Sequence, residues 1–536
     1  MTPTPLLPDL DQLALPLLVA QLLVVRASGY LFDHQIRYPQ WEPKQAQLRY
    51  WLQELGLGGV ILLGGSAGEL ALRSQQLQTW AKIPLLLSAD IEEGVGQRFA
   101  GATWFPPPMA LGAIARHEPD KAADYATKMG AYTAQEALAI GLNWVLAPVV
   151  DVNNNPDNPV INVRAFAETA AEVARLTTAF IEGMQAFPVL STAKHFPGHG
   201  DTATDSHLDL PVLPHSLARL AEVELVPFQA AIAAGVDGIM SAHLQIPSLD
   251  PDAPATLSQL ILTEELRHRL GFQGLIVTDA LIMRAIADRY GPNEAPLLAL
   301  EAGADILLMP VDPEGAIRAI CDAVHAGRVA RERIQASVER LWQAKQKVCG
   351  PLLHNTHGHD WETQPLPTIE LEHLSSSGAI ASASGILKAA MTVQEYLAPV
   401  ADGQNVIVVD DLLGCDFLDR VSPALALPAD FGFNKLLIID AHTPDFSFSA
   451  PIKQPTLLQL FIRGNPFRGS AGLTQTAKAW FDFLLETNQL RGLVIYGSPY
   501  VLEQFLPHLP TATPYAFTYG QMPLAQAIVL KALFQP

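Results

Sequence analysis

The chain has 536 residues, 49% of them apolar and 16% charged, with a formal net charge of −20 at neutral pH. That length exceeds what one hydrophobic core usually serves, so two domains are expected. The acidic balance excludes nucleic acid and anionic membrane surfaces as partners, because no basic stripe is present to displace their counterions.

Cys321, Cys349 and Cys415 form no close pair and no Cys-x-x-Cys site. Neither a disulfide framework nor a zinc centre is expected, and reduced thiols suit a cytoplasmic location. In chain order, the apolar stretch Leu13 to Val25 follows Asp9 and Asp11 with no preceding Lys or Arg, and is too short to cross a bilayer. It reads as a helix running into a first strand. Strand-like runs then recur with helix-length spacers: Leu22–Val25, Gly59–Leu63, Leu85–Ala89, Trp144–Val150, Val189–Ala193, Gly238–Ala242, Leu275–Thr278 and Ile306–Met309. Segments such as Lys128–Leu142 and Ser216–Ala234 carry apolar residues at helical spacing. The runs number about eight, and chemically informative residues gather after the third, fourth, fifth and seventh, which favours a (β/α)8 barrel over a doubly wound sheet.

Gly64-Gly65-Ser66-Ala67-Gly68 satisfies the Gly-x-Ser-x-Gly pattern of a nucleophile elbow. So short a pattern arises easily by chance, and a barrel βα turn is the better account. Periodicity lapses from Gly350 to Pro367, where Pro351, Pro365 and Pro367 mark a linker. His354, His357, His359 and Asp360 within it lack a fixed turn and read as solvated, not metal-binding. Beyond it, Asn405–Val409, Lys435–Asp440, Leu457–Ile462 and Gly492–Tyr496 alternate with helical patterns. The predicted architecture is therefore α/β: a barrel over residues 1–350, a linker over 351–368, and a smaller α/β sandwich over 369–536 with a supporting role.

The densest chemistry lies between Lys194 and His207, in the sequence Lys-His-Phe-Pro-Gly-His-Gly-Asp-Thr-Ala-Thr-Asp-Ser-His. The stretch begins where a buried strand ends and is expected to form a mobile loop, the usual place for catalytic groups. His195, His199, Asp201, Asp205 and His207 could ligate a metal, but the ammonium of Lys194 disfavours a divalent cation and suits sugar hydroxyls. The Lys-His-Phe-Pro-Gly-His-Gly run followed by Asp-Ser-His closely resembles the signature loop of bacterial β-N-acetylglucosaminidases of glycoside hydrolase family 3. Two further segments agree with that resemblance. Gly274-Leu275-Ile276-Val277-Thr278-Asp279-Ala280 is similar to the family's nucleophile strand, and Ala147 to Val152 with Asn162 to Phe166 is similar to its fourth-strand segment.

The resemblance implies a retaining exo-glycosidase that releases β-linked N-acetylglucosamine, with peptidoglycan fragments as one source, and that needs no cofactor and no metal. Asp279, at the carboxyl end of the seventh strand, is the expected nucleophile. By resemblance His207 is the acid/base and Asp205 its orienting partner, a role that imidazole suits because its pKa lies near neutrality. Asp90, Arg98, Arg164, Lys194 and His195 correspond to the family's sugar contacts. The family usually reads Asp-Gln-Glu-Gly-Gly-Arg-Val at the first of these positions, whereas this chain has Ile91, Glu93, Val95 and Gly96 around Glu92. Competing readings are a β-glucosidase of the same family, a phosphorolytic N-acetylglucosaminidase, a metal-dependent barrel hydrolase and a noncatalytic sugar-binding protein.

Overall fold

The computed structural model describes residues 7–202, 210–348, 368–443, 454–463 and 471–535. Its first eight strands are β1 (Leu23–Ser28), β2 (Gly59–Leu63), β3 (Leu86–Ala89), β4 (Trp144–Val145), β5 (Leu190–Phe196), β6 (Gly238–Ser241), β7 (Leu275–Val277) and β8 (Leu307–Leu308). They are short, mostly apolar and largely buried, as strands covered on both faces must be. Each pairs in parallel with its sequence neighbour, and β1 pairs with β8. The ring closes between β7 and β8, where Val277 bridges Ile306 and the Thr278 N–H donates to the Ile306 carbonyl at 3.0 Å. The eight-stranded barrel expected from the sequence is therefore present.

Local chemistry explains where the elements depart from expectation. Of the predicted strand Trp144–Val150, only Trp144–Val145 forms a regular ladder. Pro148 has no amide hydrogen to contribute, and pairing resumes only as a bridge between Val149 and Lys194. The helical stretch Ser216–Ala234 is two helices, Leu217–Glu222 and Leu225–Ala233. Pro227 fits the first turn of the second but would break a continuous helix. Ser66 is the N-cap of helix Ala67–Trp80: its Oγ accepts from the Glu69 N–H while the Glu69 carboxylate accepts from the Ser66 N–H. The elbow-like pattern is thus a capped βα turn.

The second sheet contains β9 (Thr392–Gln394), β10 (Gln404–Val409), β11 (Lys435–Ile439), β12 (Thr456–Ile462), β13 (Leu490–Gly497) and β14 (Tyr515–Thr518). Its order is β11-β10-β12-β13-β14-β9, parallel except for β9. Alternation decides its two faces. Ile407, Val409, Leu457, Phe461, Val494 and Tyr496 cluster with Val529, Leu530 and Leu533 of helix Pro523–Phe534. Val406, Val408, Leu458, Leu460, Leu493 and Ile495 share a cluster with Trp480, Phe481 and Leu484 of helix Ala471–Glu486. The sequence identifies four of these six strands and misses the short β9 and β14, which carry no long apolar run. Helix Ser377–Ala390 lies against the barrel so closely that a Cβ on Gly378 or Gly385 would stand 2.2 Å from Tyr132 Oη or 2.5 Å from Tyr125 Oη. The metal-like tract around His354 to Asp360 lies outside the described residues. Among the described residues, no helix is long and apolar enough to cross a membrane.

Candidate active site

Strand β5 continues through Phe196, so Lys194 and His195 belong to the strand and do not follow it. Lys194 is almost fully buried, with Nζ 2.7 Å from Asp90 Oδ1 and 2.6 Å from Glu92 Oε1. Asp90 immediately follows β3, and Glu92 stands two residues on. Arg164, from the turn Asn162–Arg164, grips Glu92 through Nε at 2.9 Å and Nη2 at 2.8 Å. Burial alone would push Glu92 up, but Arg164 and Lys194 outweigh it and hold the carboxyl well below its usual range. Burial would likewise lower Lys194, yet Asp90 and Glu92 raise it and keep it charged. Alternating charges thus make a low-dielectric environment tolerable for ions that would be costly alone.

The network continues to His195 and Asp151. His195 Nε2 lies 3.5 Å from Arg164 Nη2, and its Nδ1 lies 2.8 Å from Asp151 Oδ2. Asp151 Oδ1 accepts from the His195 N–H at 3.2 Å and from the His199 N–H at 2.7 Å. A carboxylate so placed fixes the imidazole's orientation and tautomer. Burial lowers His199 to about 4, although Asp151 and Asp279 pull in the opposite direction. His199 is therefore neutral near pH 7, and its ring centroid is 6.1 Å from that of His195.

The expected mobile loop is, over Pro197 to Thr202, closely packed. Asn158 Nδ2 donates to the carbonyls of His199 and Gly200, each at 2.9 Å. A Cβ on Gly200 would sit 1.8 Å from the Val152 carbonyl oxygen, so that glycine permits backbone approach instead of hinge motion. Asp201 pairs with His215, its Oδ2 lying 2.9 Å from Nε2. Among the described residues, no group of three or more His, Cys, Asp or Glu is arranged to hold a metal ion. The predicted acid/base pair, His207 and Asp205, lies outside the described residues.

Asp279 stands two residues beyond β7 on the barrel face that also bears Asp90 and the end of β5. Its Oδ1 accepts from the Ala280 N–H at 2.7 Å, and it is only half-buried. It does not cap the next helix, Arg284–Tyr290, whose N-cap position is Met283. His243 braces the neighbouring backbone, with Nε2 3.1 Å from the Ala280 carbonyl and Nδ1 2.8 Å from Thr256 Oγ1. Arg98 is exposed and its Nε donates to the Asp90 backbone carbonyl at 3.0 Å. The structure therefore brings Asp90, Lys194, Arg164 and His195 into one network and leaves Arg98 bracing its edge. Sequence reasoning assigns no role to Glu92, Asp151 or His243, and considers His199 only as a disfavoured metal ligand. Glu92 and Asp151 fall within the quoted motif segments, but only the fold supplies their partners.

A family model described as the glycosyl hydrolase family 3 N terminal domain matches residues 15–344, and one described as the bacterial glycosyl hydrolase family 3 C-terminal domain matches residues 397–535. The chain is 36% identical over 333 residues to the beta-hexosaminidase A of Pseudoalteromonas piscicida, a match covering 56% of this chain and 55% of that protein. It thus spans about half the length of that curated relative. It is also 36% identical over 328 residues to a beta-hexosaminidase of Stenotrophomonas maltophilia, covering 60% of this chain and 95% of the relative. A solved glycoside hydrolase family 3 beta-N-acetylglucosaminidase from Paenibacillus sp. str. FPU-7 is similar at a TM-score of 0.75 and 29% identity, covering 97% of this chain and 96% of that one.

Proposed function

Because the chain belongs to glycosyl hydrolase family 3, we propose that it is a retaining, exo-acting β-N-acetylglucosaminidase whose substrates include peptidoglycan fragments. The observation that carries this reading is the placement of Asp279 on the same barrel face as the Asp90–Lys194–Glu92–Arg164–His195 network, close enough for its charge to act on His199. The similarity to beta-hexosaminidases of Pseudoalteromonas piscicida and Stenotrophomonas maltophilia and to the Paenibacillus beta-N-acetylglucosaminidase supports the choice of sugar.

In this mechanism the Asp279 carboxylate attacks the anomeric carbon and the glycosidic C–O bond breaks. His207, oriented by Asp205, gives its proton to the departing oxygen and then takes one from the water that opens the glycosyl ester. Asp90, only partly covered, accepts hydrogen bonds from sugar hydroxyls, while Lys194, Arg164 and His195 bind sugar oxygens from positions fixed before substrate arrives. Neither step requires a metal or an organic cofactor. Cys321 and Cys415 are free thiols, which suits the cytoplasmic setting we assign.

Hydrolysis of nitrophenyl β-N-acetylglucosaminide and nitrophenyl β-glucoside, measured side by side, tests the reading. The N-acetyl substrate is expected to be preferred in kcat/KM, and a clear preference for the glucoside would overturn the choice of sugar.

A further inference from the structure

The β3 loop carries two consecutive acids that face opposite ways. Glu92 points inward to Lys194 and Arg164. Glu93, at the position where the resembled pattern has glycine, points outward, and its side chain is completely buried. Trp104 Nε1 donates to Glu93 Oε2 at 2.9 Å. Its charge is met from the second domain: Arg463 Nη2 lies 2.7 Å from Glu93 Oε1, and Nη1 lies 3.4 Å from Oε2.

The position of Arg463 is set by the second sheet, because it directly follows β12. Gly497, at the end of the adjacent β13, has φ +124°, and a Cβ there would stand 2.4 Å from the Ile462 carbonyl oxygen and 3.1 Å from Arg463 Cβ. Only a residue without a side chain lets the two strand ends close up beneath Arg463. A second contact leaves the same end of the sheet. Tyr500, in helix Pro499–Phe505 just after β13, accepts from Asn153 Nδ2 at 2.9 Å and donates to Glu168 Oε1 at 2.7 Å. Asn153 lies two residues beyond Asp151, the carboxylate that orients His195. The carboxyl ends of β12 and β13 thus reach the loops after β3 and β4, where the sugar-site acids reside.

We propose that the Glu93–Arg463 ion pair is an interdomain lock that sets the β3 loop for sugar binding, which makes Arg463 a positioning residue supplied by the second domain. This inference rests on the N-acetylglucosaminidase reading for its kinetic arm. The backbone of Glu93 is already held at both ends, its N–H donating to Gln97 Oε1 at 3.0 Å and its carbonyl accepting from the Phe105 N–H at 2.8 Å. The Glu93 side chain, one residue from Glu92 and three from Asp90, is the further tether of that loop, and it is the one that Arg463 holds. Removing Arg463 alone strands a buried carboxylate, whereas removing both charges leaves a neutral amide that still bonds Trp104.

The test compares full-length wild type, Arg463→Lys, Arg463→Met, Glu93→Gln and the Glu93→Gln/Arg463→Met double variant. Two readouts are followed: KM and kcat on nitrophenyl β-N-acetylglucosaminide, and amide hydrogen exchange over residues 91–105. Arg463→Met is expected to raise KM about tenfold with kcat within about threefold, and to speed exchange in that segment. Arg463→Lys should fall between it and wild type. The double variant should return both readouts most of the way to wild type, because no buried charge is then left unpaired. Unchanged exchange in Arg463→Met, or a double variant no better than the single, overturns the lock. Faster exchange with unchanged KM overturns the positioning role. If wild type cleaves no N-acetylglucosaminide, the functional reading falls, and the exchange arm still decides the lock.

Discussion

The Lys194 ammonium lies 2.6 Å from Glu92 Oε1, the same carboxylate that Arg164 grips through two nitrogens. One buried anion thus serves two buried cations, and the pair of cations stands in the candidate site without repelling itself apart. Each member depends on the others, since an ion left alone in that environment would cost several kcal/mol.

Glu92→Gln should therefore weaken both binding and stability. Loss of the carboxylate leaves Lys194 and Arg164 facing each other, and we expect a stability loss of about 3 kcal/mol near neutral pH. Because the folded carboxyl is held well below its ordinary value, its contribution is present above about pH 4.3 and is lost as pH falls towards the folded value. Calorimetry of wild type and variant between pH 7 and pH 3 should show the difference in melting temperature shrinking with acid. A difference that stays constant would remove the ion pair as its cause.

His199 predicts a separate acid sensitivity. An unfolded imidazole titrates near 6.5, whereas burial lowers the folded one to about 4. Between these values the unfolded chain binds more protons, so stability falls as pH drops from 6.5 to 4, by about 3 kcal/mol at most. Replacing His199 with Asn should flatten that part of the stability profile. Parallel wild-type and variant profiles would show that His199 is not buried as a neutral base.

Leaving-group chemistry tests His207, since loss of activity alone would not separate proton transfer from binding. His207→Ala should be severely impaired on a disaccharide and much less so in glycosylation from a dinitrophenyl glycoside, whose leaving group needs little protonation. Azide, which needs no base, should accelerate the slow second step and yield a β-glycosyl azide. Equal losses on all leaving groups without rescue would move the proton donor elsewhere. Asp205→Ala should show a weaker form of the same pattern.

The barrel was legible in the sequence because fully buried strands write themselves as short apolar runs, and seven of the eight runs overlap regular strands, although β1 and β5 each continue three residues beyond the expected end. The eighth, Trp144–Val150, failed where Pro148 interrupts the ladder. The site was legible only in part. Lys194, Arg164, Asp90 and His195 could be named from motifs, yet the pairing of Lys194 with Glu92 joins β5 to the β3 loop, and no local pattern encodes it. Gly200 illustrates a different limit. Its sequence context suggests a hinge, but the residue answers to the Val152 carbonyl oxygen, which only the packed chain brings near. Glu93 reads as a departure from a familiar pattern until the second domain supplies Arg463.

If Asp279 forms the covalent bond to the sugar, that bond can be trapped. A 5-fluoro N-acetylglucosaminyl fluoride destabilises both oxocarbenium-like transition states but retains a good leaving group, so the glycosyl-enzyme should accumulate. Digestion and mass spectrometry should then find one sugar-bearing peptide, with the modification on Asp279, and Asp279→Asn should take up no label and lose turnover by several orders of magnitude. Labelling of a different carboxylate, or an Asp279→Asn enzyme with near-normal turnover, would mean that Asp279 is not the nucleophile.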